Sequence, residues 1–338
     1  MFKRILVPLD GAARAERSIP VAARLARATN GSVILLQVVT SPIDYGGYLT
    51  QAPLLSESII ETSLDEAKSY LKTLAKSEDL AGINTKVEVM FGTPAQDIFA
   101  VTQSRRVDLI VMSSHGRTGF TRWALGSVTH NVVHHSPVPI LVLRADAPLP
   151  TETHRDAARP LRALVPLDGS PLAETALEPA AHLIAALASP SGGALHLAQV
   201  VKLPSTTHDE EFVAKIGKEI LDNAKTYLAA VKDRLEETLK ELKLSITWSV
   251  AIDADVADAL IGMAKHVTEI KEADELQDCN LIAMSTHGRG GWERWTMGSV
   301  TERVLNAARL PLLVVRPQKV KVEQEISEDE ILSENLQV

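Results

Sequence analysis

One recurrence constrains this chain more than any other feature. The segment RILVPLDG at Arg4 to Gly11 returns as RALVPLDG at Arg162 to Gly169, and three further pairs follow in the same order. VILLQVV (Val33 to Val39) answers to LHLAQVV (Leu195 to Val201), VDLIVMSSHG to CNLIAMSTHG, and PVPILVLR to RLPLLVVR. A period of about 160 to 170 residues is too long for a solenoid unit and fits duplication of a whole domain. The chain of 338 residues also exceeds the size at which a single core stops growing. The expected organisation is a first domain at 1–145, a linker at 146–160, a second domain at 161–317 and an acidic tail at 318–338.

Within a copy, short apolar runs alternate with helical spacing. RILVPLD reads as a buried strand, and ARAERSIPVAARLARATN as a helix stopped by Asn30-Gly31. SVILLQVV is the next strand. The loop DYGGYLTQAP leads to a helix carrying Leu64, Ala67, Leu71 and Leu74, and INTKVEVMFG alternates like a more exposed strand. A helix with Pro94 in its first turn precedes VDLIVMSS, whose continuous apolar run implies burial on both faces. The helix SVTHNVVHH and the strand PILVLR complete the copy. Strand, helix, strand with short connections implies parallel pairing and right-handed crossovers. The expected fold class is α/β: two doubly wound, open, parallel five-stranded sheets of Rossmann-like type, one per copy.

Composition removes several function classes. The net charge is -8 and no basic block is present, so neither nucleic acid nor an anionic membrane surface is an expected partner. No stretch reaches the roughly 18 apolar residues of a membrane span, and the opening MFKRILVPLDG is too short in apolar residues for a secretory core. The single cysteine, Cys279, forms no internal disulfide. A cytoplasmic location is expected.

The functional signal is a doubled loop, SSHGRTGFTRWALGS (Ser113 to Ser127) and STHGRGGWERWTMGS (Ser285 to Ser299). In an open parallel sheet a ligand sits beyond the carboxyl ends of the strands, where chain order reverses. Gly116 and Gly288 let the backbone come close to a ligand. Gly126-Ser127 and Gly298-Ser299 open a helix whose free amides and dipole attract phosphate. Arg117 and Arg289 supply a counter-charge. Asp10 and Asp168, following Pro8 and Pro166 in the VPLDG segments, can only accept hydrogen bonds when ionised and suit an amino group or a ribose hydroxyl. Base at the Asp and phosphates at Gly-Ser is the orientation this implies, and the ligand class is a nucleotide.

The VPLDG start, the SHG…GS loop and the PVPILVLR ending resemble the universal stress protein family, and the doubling resembles its tandem members. The resemblance covers roughly residues 1 to 145 and 160 to 317. It implies ATP as ligand, with or without Mg²⁺, and an adenine nucleotide alpha hydrolase-like fold. It implies that Asp10 and Asp168 meet adenine, that Val38 and Val200 contact the base, and that Met112 and Met284 lie beside the nucleoside. It places Gly116, Gly126, Ser127 and Val128, with Gly288, Gly298, Ser299 and Val300, around ribose and phosphates. The first glycine of the family motif is Ser113 in one copy and Ser285 in the other, which implies weakened or re-aimed binding. The resemblance also implies pairing through the last strand, which the tandem chain can satisfy internally as a pseudo-dimer; a further homodimer stays open, and no protein partner is named.

The copies differ. MFGTPAQDI keeps a Gly-x-Pro turn, whereas VAIDADVADAL places Asp253 and Asp255 there, and KHVTEIKEADELQD lengthens the second copy alone. Tighter nucleotide binding is expected in the first half. His115 and His287 invite an acid/base role, yet no nucleophile or carboxylate pair recurs beside them, so bracing of the loop is the expected role. His134-His135 has no counterpart in the second copy, and no metal site is expected. Phe120, Trp123, Trp292 and Trp295 pack the loop or stack on the base. The expected function is a nucleotide-gated regulatory module of the stress response. The alternatives are a slow Mg²⁺-dependent ATP hydrolase or phosphotransferase, and a nucleotide-free scaffold with decayed sites.

Overall fold

The computed structural model describes residues 1–40, 53–114, 125–144, 148–149, 160–203, 210–265, 278–288 and 297–317. The expected loop 44–52, almost all of the linker, the extension 266–277, the aromatic positions Phe120, Trp123, Trp292 and Trp295, and the tail lie outside the described residues.

Strands β1 (Arg4–Leu9), β2 (Ser32–Val39), β3 (Asn84–Phe91), β4 (Leu109–Ser113) and β5 (Ile140–Leu143) belong to the first half. Strands β6 (Leu161–Pro166), β7 (Gly193–Val201), β8 (Ser245–Ile252), β9 (Leu281–Ser285) and β10 (Leu312–Val315) belong to the second. Between them run helices α1 (Ala13–Glu16), α2 (Ser18–Thr29), α3 (Pro53–Leu74), α4 (Pro94–Ser104) and α5 (Ser127–His135). The second half repeats them as α6 (Pro171–Glu174), α7 (Leu177–Ala188), α8 (Glu210–Thr238), α9 (Val256–Lys265) and α10 (Ser299–Ala307).

The fold class is the expected one, and the structure differs from the sequence expectation at one helix of the first half. The two sheets join into one ten-stranded sheet in the order β3-β2-β1-β4-β5-β10-β9-β6-β7-β8. Every pairing is parallel except the seam, where β5 and β10 run antiparallel with Leu141 opposite Leu313. Both seam strands are fully buried and carry only Ile, Leu and Val. An apolar edge of this kind leaves unpaired amides and carbonyls until another edge meets it. The expected single helix at 13–30 is broken at Arg17. Pro20 has no amide to offer the carbonyl of Glu16, and its ring crowds that carbonyl, so α1 ends and α2 begins afresh. Pro179 stands in the same place in α7.

The helices cover both faces of the sheet. On one face Val7, Leu35, Leu141, Leu313, Val165 and Leu197 pack in one continuous apolar cluster with α2 and α7, and α2 meets α7 across the seam. Arg24 of α2 donates to the carbonyl oxygens of Leu187 and, at 3.2 Å, of Ser189. On the other face Leu6, Ile110 and Val142 pack with α4 and α5, and Leu164, Ile282 and Val314 with α9 and α10. Each half therefore has the three-layer arrangement that leaves ligand space at the carboxyl edge of the sheet. Among the described residues no helix is long and apolar enough to cross a membrane.

Candidate functional site

In the first half the chain runs β1, β2, β3 outward on one side and returns to β4 and β5 on the other. The switch point lies between β1 and β4, whose adjacent ends are Leu9 and Ser113. A crevice of about 650 Å³ opens there. Pro8, Asp10, Val38, Met112, Ser113, Gly126, Ser127 and Val128 all line it. Residues more than a hundred positions apart in the chain are thus brought to one cavity. His115, Gly116 and Arg117, and Arg289 of the second half, lie outside the described residues.

The helix start is tied to the strand end. The Gly126 amide donates to the Ser114 carbonyl at 2.9 Å, and Thr129 Oγ1 donates to the Ser113 carbonyl at 3.1 Å. The residue flanking the helix is Gly126, with extended backbone (φ -60, ψ 149), so Ser127 is the first residue inside α5 rather than its cap. The flanking Gly126 has no side chain to cap the helix, and Ser127, Val128 and Thr129 at its start line the crevice. Such an end carries a partial positive charge and unsatisfied donors. At the other side of the cavity, Asp10 Oδ1 accepts the Ala12 amide at 3.1 Å. An acidic acceptor and a donor-rich helix end therefore face one cavity, which sorts a ligand with hydrogen-bond donors at one end and anionic oxygens at the other.

The second half repeats the frame. The Gly298 amide donates to the Thr286 carbonyl at 2.8 Å, Thr301 Oγ1 to the Ser285 carbonyl at 2.9 Å, and Gly298 flanks α10 with Ser299 and Val300 as its first two residues. Pro166 ends β6, and Val200 lies near the end of β7, half-buried against the cluster that contains Met284. The details differ at the Asp. Asp168 Oδ1 takes bonds from both the amide (2.9 Å) and the hydroxyl (2.6 Å) of Ser170, whereas the first half has Ala12 at that position. Its Oδ2 presses on Gly288, where an added Cβ would come within 2.1 Å. The His287 ring engages Thr286 Oγ1 at 2.8 Å, and its amide donates to Ser285 Oγ at 3.3 Å. Asp255 accepts the amides of Ala257 and Asp258 at 3.2 Å each and pairs with Arg303 at 2.6 Å. The Arg303 guanidinium, followed by the helix amides, holds the Asp255 carboxyl below the usual carboxylate range. Its charge is engaged by its own helix and by α10.

Sequence reasoning missed the wall that α3 and α4 contribute, which includes Glu66, Tyr70, Pro94 and Ile98. Tyr70 donates from its hydroxyl to Glu16 at 2.8 Å, and Tyr227 does the same to Glu174 at 2.9 Å. Burial, then the neighbouring Glu, pushes both phenols above the usual tyrosine range. The signal was available, because both members of the pair recur in the second copy. Among the described residues no cluster of three or more His, Cys, Asp or Glu side chains could hold a metal ion.

Comparison with known proteins agrees with this frame. The sequence pattern of the universal stress protein family matches residues 1–144 and 161–316. A universal stress protein of Methanocaldococcus jannaschii is 30% identical over 155 residues, 43% of this chain and 96% of that protein. One from Mycolicibacterium smegmatis is 23% identical over 317 residues, covering 93% of this chain and 97% of its own length. The crystal structure of a universal stress protein from Archaeoglobus fulgidus superposes with a TM-score of 0.61 at 20% identity, over 94% of this chain and 99% of the other. At that identity the likeness establishes the fold.

Proposed function

The chain belongs to the universal stress protein family, and from that premise we propose that it binds an adenine nucleotide, ATP, in the crevice of its first half and acts as a nucleotide-gated regulatory module. The observation that carries this is the facing of Asp10 and the glycine-flanked start of α5 across one cavity of about 650 Å³. Asp10 accepts from the base or ribose. The amides of Ser127 to Thr129, with the Ser127 hydroxyl, take the phosphates. Val38 and Met112 give the apolar wall for the nucleoside. Any Mg²⁺ enters as the counter-ion of the triphosphate, since among the described residues the side chains lining the crevice offer it only Asp10 and Glu66 as carboxylates.

The first half is the stronger site in this reading. Asp168 is bound twice by Ser170 and lies against Gly288, so its carboxylate is committed to its own loop. The pairing of β5 with β10 supports a chain that acts as its own dimer, with 1–145 and 161–317 as its two domains. Occupancy of the crevice would shift the loop after Ser113 and thereby the affinity for a partner.

Hydrolysis has less support. A transfer step needs a group that positions water or an acceptor beside the γ-phosphate, and among the described residues the polar side chains of the lining are Asp10, Glu66, Gln37, Tyr70, Ser and Thr. The test is mass spectrometry of whatever the chain releases on denaturation after purification without added nucleotide. An adenine nucleotide in stoichiometric amount is expected. A chain that releases none and takes up none from millimolar ATP would instead be a scaffold, and steady phosphate release that Gly126→Asp abolishes would make it an enzyme.

A further inference from the structure

The arginine that follows the last strand of each half reaches into the other half. Arg316, just past β10, donates from Nη1 to the carbonyl oxygen of His134 in the last turn of α5, at 3.3 Å. Arg144, just past β5, donates to the carbonyl oxygen of Leu305 in α10. Arg316 thus sits at the negative end of the helix whose positive end opens on the first-half crevice, where a cation favours the helix dipole, and Arg144 sits at the matching end of α10. The helix between is short: α5 has nine residues, about 13 Å at the standard rise. A rod of that length tilts as a unit. Its near end is pinned by Gly126 and Thr129 to the end of β4, and Arg316 grips its far end.

The same arginine is anchored to the opposite site. Val315, its neighbour, accepts the Thr286 amide at 2.8 Å, and the Thr286 carbonyl accepts the amide of Gly298 at 2.8 Å, at the start of α10. The mirror path runs through Leu143, which accepts the Ser114 amide at 2.8 Å. We infer that Arg316 is a positioning residue for the phosphate end of the first-half crevice: by holding the last turn of α5 it sets where the Ser127 to Thr129 amides point, so the second half completes the first half's site. This rests on the nucleotide reading above.

The test is calorimetric titration of ATP and of adenosine into the full chain, with Gly126→Asp identifying which site is the first crevice. At that site Arg316→Gln is expected to weaken ATP about tenfold, the scale of one lost charge-assisted bond, while adenosine affinity stays within about twofold. Arg316→Lys should recover most of the loss. Arg144→Gln disturbs the same seam but grips α10, so it should leave ATP at the first crevice unchanged. Loss of ATP and adenosine affinity together, an equal effect of Arg144→Gln, or unchanged ATP affinity in Arg316→Gln would each overturn the inference while leaving the nucleotide reading intact. A parent chain that binds no ATP would remove that reading and this inference with it.

Discussion

The Asp168 carboxylate rests directly on the backbone of Gly288, so that a Cβ at 288 would lie 2.1 Å from Oδ2. Ser170 holds the carboxylate in place from the other side. Gly288→Ala therefore requires the Asp168 carboxylate to give up its bonds to Ser170. We expect it to lower the urea midpoint, by less than the roughly 1 to 3 kcal/mol of overpacking in a closed core, because Asp168 and Gly288 are both part-exposed. An unchanged midpoint would mean that the loop carrying Gly288 yields without resistance.

His196 lies fully buried in β7 between the hydroxyls of Thr247 and Ser249, each 2.8 Å away. Burial, with Arg162 beside it, pulls its pKa down to about 4. The folded pKa lies below the unfolded value of about 6.5. Its contribution is therefore complete above that value and is lost as pH falls towards the folded pKa. Between pH 7 and pH 5 the loss from this group should be about 2 kcal/mol. Melting curves of His196→Gln, which keeps hydrogen-bonding capacity without a proton to gain, should show correspondingly less acid sensitivity. Identical acid sensitivity in the two proteins would assign the effect elsewhere.

The strands and the parallel, doubly wound class of each half were legible in the sequence because each strand is a short apolar run between a helix and a turn, and the duplication gave each reading a second witness. That Asp10, Val38 and Gly126 would lie at one crevice was legible because an Asp after a first strand, the close of a second strand and a Gly-Ser helix start all fall at the carboxyl edge of such a sheet, while Met112 came from the family resemblance. The seam was only half legible. PVPILVLR and RLPLLVVR read as edge strands, but that they would join the two sheets into one depends on geometry between distant segments. Tyr70 and Glu16 were not legible because helical spacing assigns a residue to a face without saying what that face meets. The break at Arg17 was missed because Pro20 falls in the first turn of α2, where a proline also fits a helix.

Tyr70 links α3 to α1 at the crevice wall through its bond to Glu16. Tyr70→Phe removes one side-chain hydrogen bond and should cost about 1 kcal/mol, measured by denaturant unfolding. Tyr227→Phe should cost a similar amount. Because Glu174 also pairs with Arg234, that second carboxylate keeps a partner. A Tyr70→Phe chain as stable as its parent would show that water replaces the bond.

Asp255 accepts two amides at the start of α9 and pairs with Arg303 of α10. Asp255→Ala should destabilise the chain by removing a helix cap, read as a fall in the urea midpoint. Arg303→Ala should cost less, because the pair is exposed. Equal costs for the two substitutions would transfer the stabilisation from the cap to the ion pair.

The central claim is tested most directly by titrating ATP calorimetrically into the wild-type chain and into Gly126→Asp. Asp is a good residue at a helix start, so the variant keeps α5 while placing a negative charge where the phosphates would sit. The account predicts ATP binding by the wild type and at least about a hundredfold loss at the stronger site in Gly126→Asp, the scale expected when a buried anion meets a like charge. A wild-type chain without affinity for ATP, or a Gly126→Asp chain that binds it as tightly as its parent, would contradict the account.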